Sequence, residues 1–404
     1  MSSERLSYHP SQSRFMDRDP IHNIWDQEDY FNKIKSTIIN GAPQSFTQEI
    51  EATGKSLLDS DDPYQVKIGI LLLRLCIWDN QPLAEEWVNE IAPDLMTHSH
   101  PRIRHSTLWN VRSSIWQDEA LAEQGIKLAR NGLHDGDPAV QRVAIWTHGD
   151  AVLNNEDLYI PGLESIKSFI QDNPKESNQL FALEEFFMPL RKSFKDEDDY
   201  KEAIIEMRNQ SRGYPGVNAR CSNILGEDYS ISIDDREDIH QRLLTATSNT
   251  GEMTLIKDRK YKEAMHQIVK QISVAQTFID RMKRLWIVRD LSWMDDSVDL
   301  DIFQQLSSFL SDTRDGDLIR TTSVVIADHI LKFPVELADQ AIETAERFFN
   351  ESDIDGSQIV VAQTLTALRD HNSETKSKLL NALPSLYSSA ANRSVSRTLD
   401  NLKN

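Results

Sequence analysis

Two cysteines, Cys76 and Cys221, are all that the 404-residue chain holds. So few thiols make neither a disulfide framework nor a structural zinc site, and a reducing, cytoplasmic setting is the expectation. Glycine and proline stand at 14 each, too few turn formers for the many hairpins of an all-β chain of this length, so helices are expected. No stretch approaches roughly 18 uninterrupted apolar residues, and the opening MSSERLSYHPSQSRFMDRDP lacks the apolar core of a signal peptide. Secretion and membrane spanning are therefore not expected. Positive charge is short as well: 44 Lys and Arg face 64 Asp and Glu, a net of −20. That excludes a generally basic nucleic-acid binder and leaves a local basic patch open. Also missing are a glycine-rich phosphate loop, a Gly-x-Ser-x-Gly elbow, a His-Glu-x-x-His helix and any paired-cysteine motif. No catalytic residue, metal ligand set or cofactor is assigned on this reading.

What the chain has is a period. Asp62-Pro63, His100-Pro101, Asp137-Pro138, Asn173-Pro174 and Tyr214-Pro215 place their prolines 38, 37, 36 and 41 residues apart. PRIRHSTLW from Pro101 and PAVQRVAIW from Pro138 share a β-branched third residue and a ninth-place tryptophan, Trp109 and Trp146. Toward the other end, two acidic turns carry Gly316 and Gly356, 40 residues apart. Proline at the first helical position loses no intrahelical bond, and an acid just before it can accept from first-turn amides. Each unit thus reads as a helix, a turn and a second helix. In the third unit Leu121, Ile126, Leu128 and Leu133 precede the turn, and Val140, Val143, Ala144 and Ala151 follow it at helical spacing. Such hairpins cannot bury both faces alone, so they are expected to stack.

On these residues the chain resembles the HEAT-repeat family, LHDGDPAVQRVAIWTHGDAVL being the closest copy of its second-helix opening. The resemblance implies an all-α fold, an α-solenoid of about eight to ten helical hairpins. The expected organisation is a loose arm over residues 1–20, repeats over 21–225, an irregular repeat or insertion over 226–270, and further repeats with a polar tail over 271–404. In the irregular part DYSISIDDRED and TSNTGEM break the spacing.

Lys67, Arg104, Arg142, Arg220 and Arg320 follow the turn proline or glycine by three to five residues. Acids in the turns, Asp135 and Asp137 among them, make a stacking ladder of ion pairs the expectation, as the resemblance also implies, with ligand contact as the alternative. One segment is electrostatically out of character. Lys257, Arg259, Lys260, Lys262, Lys270, Arg281, Lys283, Arg284 and Arg289 stand against only Asp258, Glu263 and Asp280. With Trp286 and Trp293 beside them, these cations form the candidate binding surface, unless neighbouring acidic runs fold against them. Trp109, Trp146 and Trp286 share a repeat register and read as core, with base stacking as the other possibility. His98, His100, His105 and His134 gather at turns and read as loop residues rather than ligands.

The expected function is a non-enzymatic scaffold or adaptor holding a protein partner on the concave face of the stack. The alternative is a nucleic-acid-binding or base-excision protein resembling the HEAT-like DNA alkylation-repair glycosylases, working through residues 257–293. No catalytic acid of that family is located here by motif.

Overall fold

In a computed structural model the chain is described over residues 44–351 and 373–390, except positions 78, 79, 212, 228, 248, 298, 314 and 315; positions 358, 361, 362, 365, 396 and 399 are described singly. The arm at residues 1–20, the turn at Gly356 and the side chain of Arg320 lie outside the described residues. Two compact units divide the chain between Ala203 and Ile204. Among the described residues there is helix and turn but no strand.

The first unit begins with helices α1 (Gln44–Leu58) and α2 (Pro63–Ile77). Then α3 (Gln81–Glu86) runs through a π turn at Trp87–Ile91 into α4 (Ala92–Leu95), followed by α5 (Pro101–Ile115), α6 (Ala122–Leu133) and α7 (Pro138–Asn154). After α8 (Tyr159–Asp172), α9 (Glu176–Ala182) passes through a second π turn, Leu183–Phe187, into α10 (Met188–Phe194). The unit boundary falls within α11 (Asp198–Gln210).

The prolines act where the sequence placed them. Pro63, Pro101 and Pro138 open α2, α5 and α7, and in each case the preceding side chain accepts a first-turn amide. Asp62 Oδ1 takes Tyr64 N–H at 3.0 Å, Asp137 Oδ1 takes Ala139 N–H at 2.8 Å, and at the middle position His100 Nδ1 takes Arg102 N–H at 3.2 Å. A cap of this kind stabilises a helix by about 1 kcal/mol. All eight core positions expected in the third unit, from Leu121 to Ala151, are buried. Each large apolar side chain removed from water contributes about 1.5–3 kcal/mol. Helix α1 packs on α2 and α6 on α7, while the second helices pack in succession, α2 on α5, α5 on α7 and α7 on the second π turn. That succession is the α-solenoid arrangement of stacked hairpins.

The second unit continues with α12 (Pro215–Leu225), α13 (Ile233–Ala246), α14 (Thr250–Lys257), α15 (Tyr261–Ile272) and α16 (Phe278–Met294). It then runs through α17 (Leu300–Asp312), α18 (Gly316–Lys332), α19 (Pro334–Glu351) and α20 (Ser373–Ser388). Here too the hairpins α15/α16 and α17/α18 stack like on like, α15 against α17 and α16 against α18. The segment 226–270, expected to be irregular, holds α13, α14 and most of α15. Gly213, in the turn ahead of α12, has φ of +77°, a left-handed conformation that costs a side-chain-bearing residue about 1–2 kcal/mol. Its N–H donates to Asp235 Oδ1 at 2.7 Å and its carbonyl accepts from Arg242 at 2.6 Å, which pins the turn to α13.

Candidate functional site

The basic segment of residues 257–293 spans the end of α14, all of α15 and nearly all of α16. Its side chains separate into two sets. Lys257, Arg259, Lys260 and Lys283 are exposed, as is Lys270 between them. Lys262, Arg281 and Arg284 are half-buried and engaged: Lys262 Nζ stands 3.3 Å from Asp299, Arg281 Nε donates to the Ala275 carbonyl at 3.0 Å, and Arg284 lies 3.3 Å from Glu252. Arg259 meets Glu237 at 3.1 Å in a pair exposed on both sides, where solvent screens the attraction. Lys257, Lys260, Lys270 and Lys283 make no ion pair with any described residue.

The second set lies inside. Arg289 is only 1% exposed, Trp286 6% and Trp293 3%. From Leu285 onward α16 has no exposed face, because α15, α13 and α18 all pack on it. These three residues, grouped with the surface cations by the sequence, build the interior beneath that surface.

Arg289 is half of a charged node. Its Nε donates to Asp328 Oδ2 at 2.6 Å, Trp293 Nε1 donates to the same oxygen at 2.9 Å, and Arg220 pairs with Oδ1. The carboxylate on α18 therefore gathers side chains from α12 and α16. Gly216 makes room: a Cβ there would lie 2.0 Å from Arg289 Nη2 and 2.7 Å from Asp328. Burial alone would push Asp328 up, but the two guanidiniums and the indole outweigh it and hold the carboxyl down at about 2.

The first unit repeats the device. Arg112 Nε donates to Asp150 Oδ2 at 2.7 Å, and Trp116 hydrogen-bonds the same carboxyl. Both charged partners are buried, at 3% and 5% exposure. Here burial wins, raising the Asp150 carboxyl and lowering the Arg112 guanidinium, since one arginine meets the acid where Asp328 has two. Arg112 also lies 3.5 Å from the Trp146 ring centre and 4.5 Å from that of Trp109, with Arg74 4.8 Å from Trp109. The Trp109 and Trp146 rings meet edge to face at 4.9 Å. Their π faces are thus occupied by guanidinium groups, each contact contributing about 0.5–2 kcal/mol.

The tryptophans stand in register in the sequence, but the parts of Arg112, Asp150 and Asp328 emerge only in the fold. The signal was present. LWNVRSSIW at 108–116 and LWIVRDLSW at 285–293 share Leu, Trp, Val, Arg and Trp at the same offsets, and their acids follow the arginines by 38 and 39 residues. Even the backbone anchor recurs: Arg104 reaches the His98 carbonyl at 2.6 Å, and Arg281 reaches the Ala275 carbonyl, each six residues back.

Three other ladder positions, Lys67, Arg104 and Arg142, also reach a neighbouring repeat. Arg104 grips Asp135 of the following turn with two bonds of 2.6 and 2.8 Å, and Arg142 pairs with buried Glu185 in the second π turn. Lys67 donates to Ser106 on α5. Three of the turn histidines make local bonds, His98 Nδ1 accepting His100 N–H at 3.0 Å, His100 Nδ1 capping α5 and His105 Nε2 accepting Trp109 Nε1–H at 3.3 Å, while His134 is exposed. Among the described residues no helix is long and apolar enough to cross a membrane.

No family model and no curated protein matches the chain. Solved structures with similar helical arrangements include Kap121p, at 10% identity over 99% of this chain and 45% of that one, with a TM-score of 0.36. A homology model of the full-length AP-3 complex in an intermediate open conformation is similar at 10% identity, covering 94% of each chain, with a TM-score of 0.37. UNC-45 from Drosophila melanogaster is similar at 13% identity, covering 99% of this chain and 68% of that one, with a TM-score of 0.30. The chain spans less than half the length of Kap121p.

Proposed function

We propose that the protein is a non-enzymatic scaffold whose α14–α16 surface holds an acidic segment of a protein partner. The observation that carries this is the set of four exposed lysines, Lys257, Lys260, Lys270 and Lys283, without ion-pair partners among the described residues on a chain of net charge −20. Among the described residues, Arg104, Arg112, Arg142, Arg220 and Arg242 are by contrast paired within the stack. Unneutralised lysines on an acidic protein steer an oppositely charged segment of a partner. Arg259, Lys262, Arg281 and Arg284 belong to the same segment and can exchange their present partners for those of a bound chain. Arg289, Trp286 and Trp293 support it from within by fixing α16.

The test is affinity capture from a native extract, with nuclease treatment, using the wild-type chain and a Lys257→Glu, Lys260→Glu, Lys270→Glu, Lys283→Glu variant. Expected is a stoichiometric protein that survives nuclease, elutes with salt and is absent from the variant. Capture that depends on nucleic acid, or a partner retained equally by the variant, contradicts the proposal.

A further inference from the structure

His266, on α15, faces the start of α17. Its Nε2 stands 2.8 Å from Asp299 Oδ2 and its Nδ1 3.4 Å from Asp301 Oδ2. Asp299 is the N-cap of α17: its Oδ1 accepts the Ile302 amide at 3.1 Å, which leaves Oδ2 turned toward the imidazole. One donor atom from each of the three residues lies within 4.8 Å of the other two.

We propose that His266, Asp299 and Asp301 bind a divalent metal ion of the zinc class, linking α15 to α17 of the next hairpin. Metal–ligand bonds of about 2.0–2.2 Å place bound donors about 3–3.5 Å apart around the ion. The His266–Asp299 pair is near that spacing, and the cap fixes the carboxylate. Asp301 is exposed, its side chain bonded only to Gln305 at 2.8 Å beyond His266, so it can turn its oxygen to the same point. One imidazole with two carboxylates suits Zn2+ or Mn2+ better than Mg2+, which prefers oxygen donors and retains its water. Solvent fills the remaining positions on the open side. The competitor is Lys262, whose ammonium stands 3.3 Å from Asp299 Oδ2 and whose side chain, 43% exposed, can withdraw.

Calorimetric titration of the untagged, chelator-stripped chain with Zn2+ tests this. A single saturable site is expected, weakened at least about 100-fold in His266→Gln and in Asp299→Asn, more than loss of an outer-shell partner costs. Asp299→Asn keeps a capping oxygen, so the metal-free variant should still fold, and its melting temperature measured without metal separates lost packing from lost binding. Lys262→Met should tighten binding by removing the competing charge. Failure to saturate in the wild type overturns the proposal. So does equal affinity in all variants, which would put the ion on other histidines. If His266→Gln does not fold, the opposite effects expected of Asp299→Asn and Lys262→Met still decide the matter.

Discussion

Arg289 and Asp328 stand 39 residues apart in sequence and 2.6 Å apart in space, on the second helices of consecutive hairpins. The pair joins α16 to α18 through the interior, and Arg112 with Asp150 joins α5 to α7 in the same way. One repeat period in the sequence thus becomes one buried charge contact in the fold.

The two nodes should respond differently to loss of their acid. Asp328 neutralises two guanidiniums, so Asp328→Asn leaves buried charge uncompensated and should cost about 3–5 kcal/mol. Asp150 faces one arginine and its carboxyl is already pushed toward the neutral form, so Asp150→Asn should cost clearly less. Urea unfolding of the two variants checks this, and equal losses would count against the contrast.

His148 is fully buried, with Nδ1 2.8 Å from the Ala144 carbonyl, and burial pulls it down to about 4. Its folded-state value lies below the ordinary 6.5, so the unfolded chain takes up a proton first as pH falls. Stability from this site is complete above about pH 6.5 and is lost progressively toward pH 4, by about 3 kcal/mol in all. Buried His329 is shifted the same way by burial and adds to the trend. Melting temperatures between pH 7 and 4 should fall less steeply in His148→Gln than in the wild type; parallel curves would contradict this.

Much of this was legible in the sequence, and the remainder was not, for physical reasons. Helix starts were legible because proline at the first helical position with a capping side chain is a local code, seen at Pro63, Pro101 and Pro138. The core was legible through helical spacing, as Leu121 to Ala151 show. The burial of Arg289 was not legible locally. Whether an arginine lies on a surface or inside depends on an acid a repeat away and on a glycine, Gly216, in a third helix. The His266 cluster was hidden similarly, since its acids lie 33 and 35 residues downstream, outside the reach of any short motif.

Both thiols are buried, and burial pushes Cys76 and Cys221 up to about 12. Neither should react with a thiol reagent at pH 8 in the folded chain, and both should react at once in denaturant. Mass spectrometry of labelled protein reads this. Rapid labelling of the native chain would show that α2 or α12 opens readily.

Arg104 uses both arms of its fork on Asp135 while a third nitrogen holds the His98 carbonyl. Lysine cannot reproduce that geometry. Arg104→Lys should therefore lower stability by about 1–2 kcal/mol despite conserving charge, measurable by chemical denaturation; an unchanged midpoint would assign the pair no structural weight.

The most direct test of buried charge coupling between repeats is a double-mutant cycle on Arg289→Met and Asp328→Asn, read as unfolding free energy. Coupling of about 2 kcal/mol or more is predicted, because Asp328→Asn takes the carboxylate from buried Arg289 and Arg289→Met takes from Asp328 one of its two guanidiniums. Additivity within about 0.5 kcal/mol would mean that the two side chains do not hold α16 to α18.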